Sequence, residues 1–233
     1  MTDFRALIGA RGESRRFPGK NIVALMGKPL IAWTIEAALQ SGVLGSVLVS
    51  TDDESIAQLA RKWGAETPFL RPSQLAGDES QSVEMAIHAI QWLESNRGEK
   101  PEYVMLLQPT SPLRTAEDVD EAIDLTLATR AESVVSIYEA PVDSCDKHVI
   151  DPSCKLFEAC LEHKRVKGCR RDRMSFALNG AIYIVRRTVM LERRTFVTEN
   201  TVPFFMPLER SIDIDTPSDL ELARRLMERK YKE

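Results

Sequence analysis

Residues 4–21 read FRALIGARGESRRFPGKN. The first five are apolar apart from Arg5 and read as a β-strand. The next thirteen gather Gly9, Gly12 and Gly19 with Arg11, Arg15, Arg16 and Lys20, in a chain whose formal charge is −4. A strand that runs straight into a glycine-rich cationic loop is the opening of a parallel α/β sheet, where ligands bind beyond the carboxyl ends of the strands. Gly9 and Gly12 let the backbone approach a ligand closely, and the cations can neutralise phosphates through charge-assisted hydrogen bonds. Ser14 adds a hydroxyl donor. The loop is neither a Walker A sequence nor a G-x-G-x-x-G fingerprint, which removes the main support for P-loop and dinucleotide readings. On composition alone, a triphosphate cradle and a solvated basic loop both stay open.

Working outward, apolar runs alternate with helical patterns, as in successive βαβ units. Strands are predicted at Phe4–Ile8, Ser46–Ser50, Tyr103–Leu107, Ser133–Tyr138 and Ala181–Val185, with short ones at Ala65–Phe69 and Ser211–Ile214. Helices are predicted at Leu30–Gln40, Asp53–Trp63, Ser82–Glu94 and Ala116–Ala128, and a last one starts at Pro217. Two starts carry capping signals: Thr115 with Asp118, and Thr216 with Pro217 and Asp219. The fold class is therefore α/β, a doubly wound and mostly parallel sheet. At 233 residues, 43% hydrophobic and 28% charged, one domain is expected over 1–233. Residues 140–174 are polar, without sustained period, and read as an irregular arm projecting from the core.

A sequence pI near 5.6 disfavours a general nucleic-acid or membrane-surface binder, which needs a broad cationic field. The opening MTDFRALIGA is too short and too charged for a signal peptide, and no apolar run reaches membrane-spanning length. A cytoplasmic protein is expected. Cys145, Cys154, Cys160 and Cys169 lie in the arm region with His148 and His163. They lack the Cys-x-x-Cys spacing of zinc ribbons, and ordinary reduced thiols are the expectation.

Polar clusters follow the strand ends: the 9–21 loop, TDDE at 51–54, QPTSPLR at 108–114 and Asp215. In SIDIDTP, Asp213 and Asp215 alternate with Ile212 and Ile214, which puts two carboxylates on one side and the isoleucines toward the core. Oxygen-only ligands of this kind suit Mg²⁺ shared with substrate phosphates; solvated acids beside a helix cap are the plainer alternative. QPTSPLR offers amide, hydroxyl and backbone donors for a hydroxyl-rich or carboxylate-bearing substrate, or is a Pro-stiffened loop. Asn179 faces a ligand or makes a turn. His88, on a mid-chain helix, reads as structural.

Taken in order, ARGESRRFPGKN, STDDE, FLRPSQLAGDESQS, LLQPTSPLRT, NGAIYI and SIDIDTPSDLELA closely resemble the acylneuraminate cytidylyltransferases over nearly the whole chain. The resemblance implies a nucleotidyltransferase fold, a homodimer built through 140–174, Mg²⁺ dependence, and transfer of CMP from CTP to a nine-carbon 2-keto sugar acid. The family's loop pattern is matched at Ala10, Arg11, Ser14, Lys20 and Asn21, with Gly12 inside it. Glu13 stands where the family usually has Gly, and Arg15 where it usually has Lys. Arg71 and Ser82 match cytidine-site positions; Gln108, Thr110, Asn179 and Tyr183 match sugar-site positions; Asp213 and Asp215 match the metal pair. Catalysis is then expected from Lys20, Arg11, Asp213 and Asp215. The alternatives are an octulosonate-type cytidylyltransferase and a non-catalytic nucleotide-binding regulator. Glu13 is expected to turn away from the phosphates, toward Arg15 or Arg16.

Overall fold

A computed structural model describes residues 3–77, 80–140, 148–150, 156–158 and 175–230. In chain order the strands are β1 (Phe4–Gly9), β2 (Ala24–Leu25), β3 (Lys28–Pro29), β4 (Val47–Ser50), β5 (Tyr103–Leu107), β6 (Ser133–Ala140), β7 (His148–Ile150), β8 (Leu156–Glu158), β9 (Ser175–Arg186) and β10 (Thr201–Phe205). The α-helices are α1 (Leu30–Leu39), α2 (Glu54–Lys62), α3 (Ser82–Arg97), α4 (Ala116–Thr129), α5 (Arg187–Arg193) and α6 (Pro217–Lys230). The main sheet runs β10-β6-β9-β5-β1-β4. β4, β1 and β5 are mutually parallel, as are β6 and β10, and β9 runs antiparallel between β5 and β6.

The central strands are apolar on both faces because helices cover both faces. Ala6, Ile8, Val47, Val49, Met105 and Leu107 meet α1, α2 and α4 through Ile31, Ile35, Ile56, Ala60, Val119 and Ile123. The alternating residues Leu7, Leu48, Val104 and Leu106 meet α3 and α5 through Ile87, Ile90, Leu93, Val189 and Met190. Strand order reverses at β1, which has β4 on one side and β5 on the other. The loops leaving β1 and β5 therefore open at the switch point, where ligands bind in such sheets.

Both predicted caps form. Thr115 Oγ1 accepts from the Asp118 N–H at 3.2 Å while Asp118 Oδ2 accepts from the Thr115 N–H at 2.9 Å. Asp219 Oδ2 likewise accepts from the Thr216 N–H at 2.8 Å.

Several expectations change. Residues 65–69 contribute only one bridge, Glu66 to Leu48. Ser211–Ile214 forms no ladder with another strand among the described residues; its backbone reaches a distant segment through the Ile214 N–H, which donates to Thr110 O at 2.8 Å. Its alternation still holds, with Ile214 buried and Ile212 packed beside Leu25, Ala223 and Met227. β10 was not anticipated because Pro203 sits in it; as the edge strand it tolerates a residue without an N–H. Helix α5 follows β9 directly, with Arg186 serving as both strand end and N-cap, so no loop signal announces it. Of the predicted arm, only β7 and β8 are described, paired antiparallel with each other and by His148–Phe176 to β9. Cys145, Cys154, Cys160, Cys169 and His163 lie outside the described residues, as does the reading of 140–174 as a dimer contact.

Candidate active site

The β1 loop is shaped by contacts that the sequence pattern alone does not reveal. The Gly12 N–H donates to Asp52 Oδ1 at 3.0 Å, and a Cβ on Gly12 would lie 2.9 Å from the Asp53 side chain, so only glycine fits. Asn21 Nδ2 donates to Arg11 O at 2.9 Å and folds the loop back on itself. Asp52 also pairs with the buried Arg71 at 3.4 Å, while the Arg71 N–H donates to Thr51 O at 2.7 Å. The TDDE cluster therefore divides its work: Asp52 ties two loops together, and Asp53 caps α2 by accepting from the Ser55 and Ile56 N–H groups. Burial lowers the Arg71 pKa, Asp52 opposes the shift, and Arg11 adds to it.

These loops enclose a cleft of about 380 Å³ at the switch point. Of the residues singled out from sequence, Arg11, Lys20, Asn21, Arg71, Ser82, Gln108, Thr110, Asp213 and Asp215 line it. Ser82 opens the sixteen-residue helix α3, and that helix presents the partly positive end of its dipole to the cleft. Arg16 also lines the cleft, through an ion pair with Asp215 Oδ2 at 2.9 Å. Lys20 Nζ takes the other oxygen, Asp215 Oδ1, at 2.9 Å.

The two acids are driven apart electrostatically. For Asp215, burial alone would raise the pKa, but Lys20 and Arg16 outweigh it and hold the carboxyl below the usual range. For Asp213 burial wins: a hydrogen bond with Thr110 opposes the rise and the charge of Asp215 adds to it, leaving the pKa raised. A second group with the same charge would be poorly tolerated here, whereas a dication would relieve both terms. Asp213, Asp215 and the Thr110 hydroxyl supply hard oxygens only. That donor set fits Mg²⁺ completing its shell from substrate phosphates. Among the described residues no cluster of three or more His, Cys, Asp or Glu gathers as a self-sufficient metal cage.

Other predicted residues fall elsewhere. Ala10 and Ser14 are buried, Arg15 and Glu13 are exposed, and none of these four, nor Gly12, lines the cleft. Arg16, one of the two partners expected for Glu13, pairs with Asp215 instead. Tyr183 lines an adjoining pocket of about 250 Å³ with Phe196, Thr195 and Arg194, and Gln81, Ser82, Leu106 and Gln108 are shared by the two spaces. Burial, then the charge of Asp213, pushes the Tyr183 pKa up to about 12, so its phenol keeps its proton as a hydrogen-bond donor.

Asn179, expected at the sugar site, lines neither of these two spaces. It is 3% exposed, and its amide is spent on the protein. Asn179 Oδ1 accepts from Ser136 Oγ at 2.5 Å and from the Ala181 N–H at 3.0 Å, while Nδ2 donates to Ser211 Oγ at 2.9 Å. The reason is a bulge: β6 advances from Val135 to Ile137 while β9 goes from Tyr183 back to Leu178. The extra residues need internal partners, and Asn179 with Ser136 provides them. Gly180 adopts φ +75 in this bulge, and a Cβ there would lie 2.6 Å from Gln108 Oε1. Phe196 sits in a stretch without a motif or a period, and Gln81, though within FLRPSQLAGDESQS, was not singled out beside Ser82.

A family model described as Cytidylyltransferase matches residues 5–232. The chain belongs to the cytidylyltransferase family. This cytidylyltransferase is 38% identical to the CMP-N,N'-diacetyllegionaminic acid synthase of Legionella pneumophila over 96% of its own length and 95% of that protein. It is 30% identical to a pseudaminic acid cytidylyltransferase of Campylobacter jejuni, covering 94% and 93%. To the N-acylneuraminate cytidylyltransferase of Escherichia coli it is 33% identical, spanning all of this chain and 54% of that one. Among solved structures, a CMP:2-keto-3-deoxy-manno-octonic acid synthetase complexed with CTP superposes with a TM-score of 0.79 at 19% identity, covering 98% of this cytidylyltransferase and 100% of that chain. At that identity the likeness establishes the fold. The cytidylyltransferase is a nucleotidyltransferase enzyme, and none of its described helices is long and apolar enough to cross a membrane.

Proposed function

We infer that the chain transfers CMP from CTP to the anomeric hydroxyl of a nine-carbon 2-keto sugar acid of the legionaminic, sialic or pseudaminic type, releasing pyrophosphate. The observation that carries this is the cleft itself: Lys20, Arg16, Arg11 and Arg71 line one space together with Asp213 and Asp215, with Gln108 and Thr110 in the same lining. Relatives at 30–38% identity that act on such acids support the acceptor class. The octulosonate alternative draws on likeness of fold alone.

Transfer to phosphorus depends on positioning and charge neutralisation more than on covalent help from protein. The sugar hydroxyl attacks the α-phosphorus in line, and pyrophosphate departs. Arg11, Arg16 and Lys20 stabilise the charge that grows on the leaving group. Arg71 and Ser82 hold the nucleotide, and Gln108, Thr110 and Tyr183 orient the acceptor. Asp213 and Asp215 would hold Mg²⁺, which when bound would supply Lewis-acid neutralisation of the phosphates. A homodimer through 140–174 belongs to this reading as the family's usual assembly.

Pyrophosphate release measured with CTP, UTP, GTP and ATP, Mg²⁺, and a panel of nonulosonic and octulosonic acids tests the reading. Release restricted to CTP with a nine-carbon acid is the expected result. Release with an octulosonic acid instead would shift the acceptor class, and tight CTP binding without turnover would restore the regulator.

A further inference from the structure

Arg114 closes the QPTSPLR loop and is 3% exposed. Its Nη1 donates to Ala181 O at 2.7 Å and to Gln108 O at 3.3 Å. Its Nε and Nη2 are buried with no hydrogen-bond partner among the described residues. The neighbouring carboxylate does not satisfy them: Asp118 is engaged by Arg210 Nε and Nη2 at 3.0 and 2.8 Å and by the Thr115 N–H at 2.9 Å. A buried guanidinium with idle donors is a poor device for stability, since desolvation of the charge is incompletely offset. What its one working nitrogen does is specific: it joins two carbonyls on different segments.

Those two carbonyls sit where geometry matters. The β5–β9 ladder ends at Leu107↔Ile182. One step beyond, Gln108 leaves β5 while Ala181 enters the bulge within β9, and Arg114 bridges them. Gln108 O also receives Thr34 Oγ1 at 3.3 Å, so its backbone is held from two sides. The Gln108 amide then lies against Gly180, so close that a Cβ would collide with Oε1. Gln108 lines both the main cleft and the side pocket holding Tyr183.

We propose that Arg114 is a positioning residue for the acceptor: by pinning Gln108 O to Ala181 O it seats the Gln108 amide on Gly180, at the junction where the sugar acid meets the nucleotide. This rests on the cytidylyl-transfer reading above. Arg114 touches neither substrate, and its removal should act on one of them only.

The test compares Arg114→Met, Arg114→Lys and Gly180→Ala with the unaltered enzyme. Three readouts are used: KM for the acid, CTP affinity by calorimetry, and the thermal midpoint. Misplacing an orienting group by about 1 Å costs up to roughly 100-fold, so Arg114→Met is expected to raise the acid KM by on the order of 10-fold or more. CTP affinity should stay within about 2-fold, the tolerance expected for a site whose contacts are unchanged. Arg114→Lys, which can keep one of the two carbonyl bonds, should fall between, and Gly180→Ala should reproduce the acid-selective loss by displacing Gln108 directly. A folded Arg114→Met with unchanged acid KM, or with equal losses for acid and CTP, overturns the proposal. If the unaltered enzyme turns over no acid, the transfer reading fails and this inference falls with it; an active enzyme with unselective variants sinks the inference alone.

Discussion

The two halves of the site are built on opposite principles. The proposed nucleotide half is made of charges on loops: Arg16, Lys20 and Arg71 are held in place by Asp215 and Asp52, and Arg11 Nη1 donates to Gly77 O at 3.4 Å. The proposed acceptor half rests on buried stitches between neutral groups: Ser136, Asn179 and Ser211 shape a bulge, Gly180 receives Gln108, and Tyr183 lines the pocket beyond, where the one charged side chain, Arg194, is paired with Glu84. Charges announce themselves in a sequence through their density. Stitches do not, because Ser and Asn occur everywhere and their meaning depends on what the fold brings opposite them.

The comparison breaks first at its charged end. Asp215→Ala, with Mg²⁺ saturating, should lower turnover by on the order of 1,000-fold, because metal and phosphate neutralisation are lost together; turnover near the unaltered level would remove Asp215 from the metal pair. Lys20→Ala should lose roughly 100-fold in turnover through one transition-state contact, and an unchanged rate would take it out of catalysis. The acceptor half should respond in stability. Asn179→Ala leaves the Ala181 N–H short of a partner and takes a donor from Ser211 Oγ, while the Ser136 hydroxyl keeps Ile182 O at 3.1 Å; a loss of about 1–3 kcal/mol is expected, readable by urea unfolding, while CTP affinity stays unchanged. A drop in CTP affinity with full stability would mean that Asn179 reaches the ligand after all.

The smallest effect separates function from stability at one residue. The Asp213 pKa is raised in the fold, so its ionised form destabilises the native state at neutral pH. The penalty sets in as pH climbs from the unfolded value toward the folded one. Asp213→Asn should therefore raise the thermal midpoint at pH 7, by around 2 °C for a chain of this size, even as it removes a metal ligand. The gain should vanish below the ordinary aspartate range, where both states are protonated. A fall in the midpoint at pH 7 would show that ionised Asp213 is stabilised by its neighbours.

Most of the sheet was legible because period and capping agree. Residues 103–107 are continuously apolar, and Thr115 with Asp118 marks the start of α4. The 9–21 loop stood out as unusual residues at the end of β1, the Asp213–Asp215 pair through its alternation with Ile212 and Ile214, and Arg71 only through the family resemblance. What escaped depends on contacts between distant segments. Pro203 hid an edge strand because only a neighbour list shows which side of a strand is unpaired. The apolar alternation of 211–214 looked like a strand, but among the described residues no partner strand arrives, and alternation reports burial rather than pairing. Asn179 was placed beside the sugar because its motif resembles sugar-site residues; its side chain turns inward to complete a bulge whose size depends on β6.

That bulge has one more consequence. Its knot of Ser136, Asn179 and Ser211 contains no ionisable group. Added salt weakens ion pairs such as Arg16–Asp215 through screening but has no comparable hold on uncharged hydrogen bonds. On the proposed function, ionic strength is a selective lever, expected to loosen the grip on triphosphate while the seat for the sugar keeps its shape.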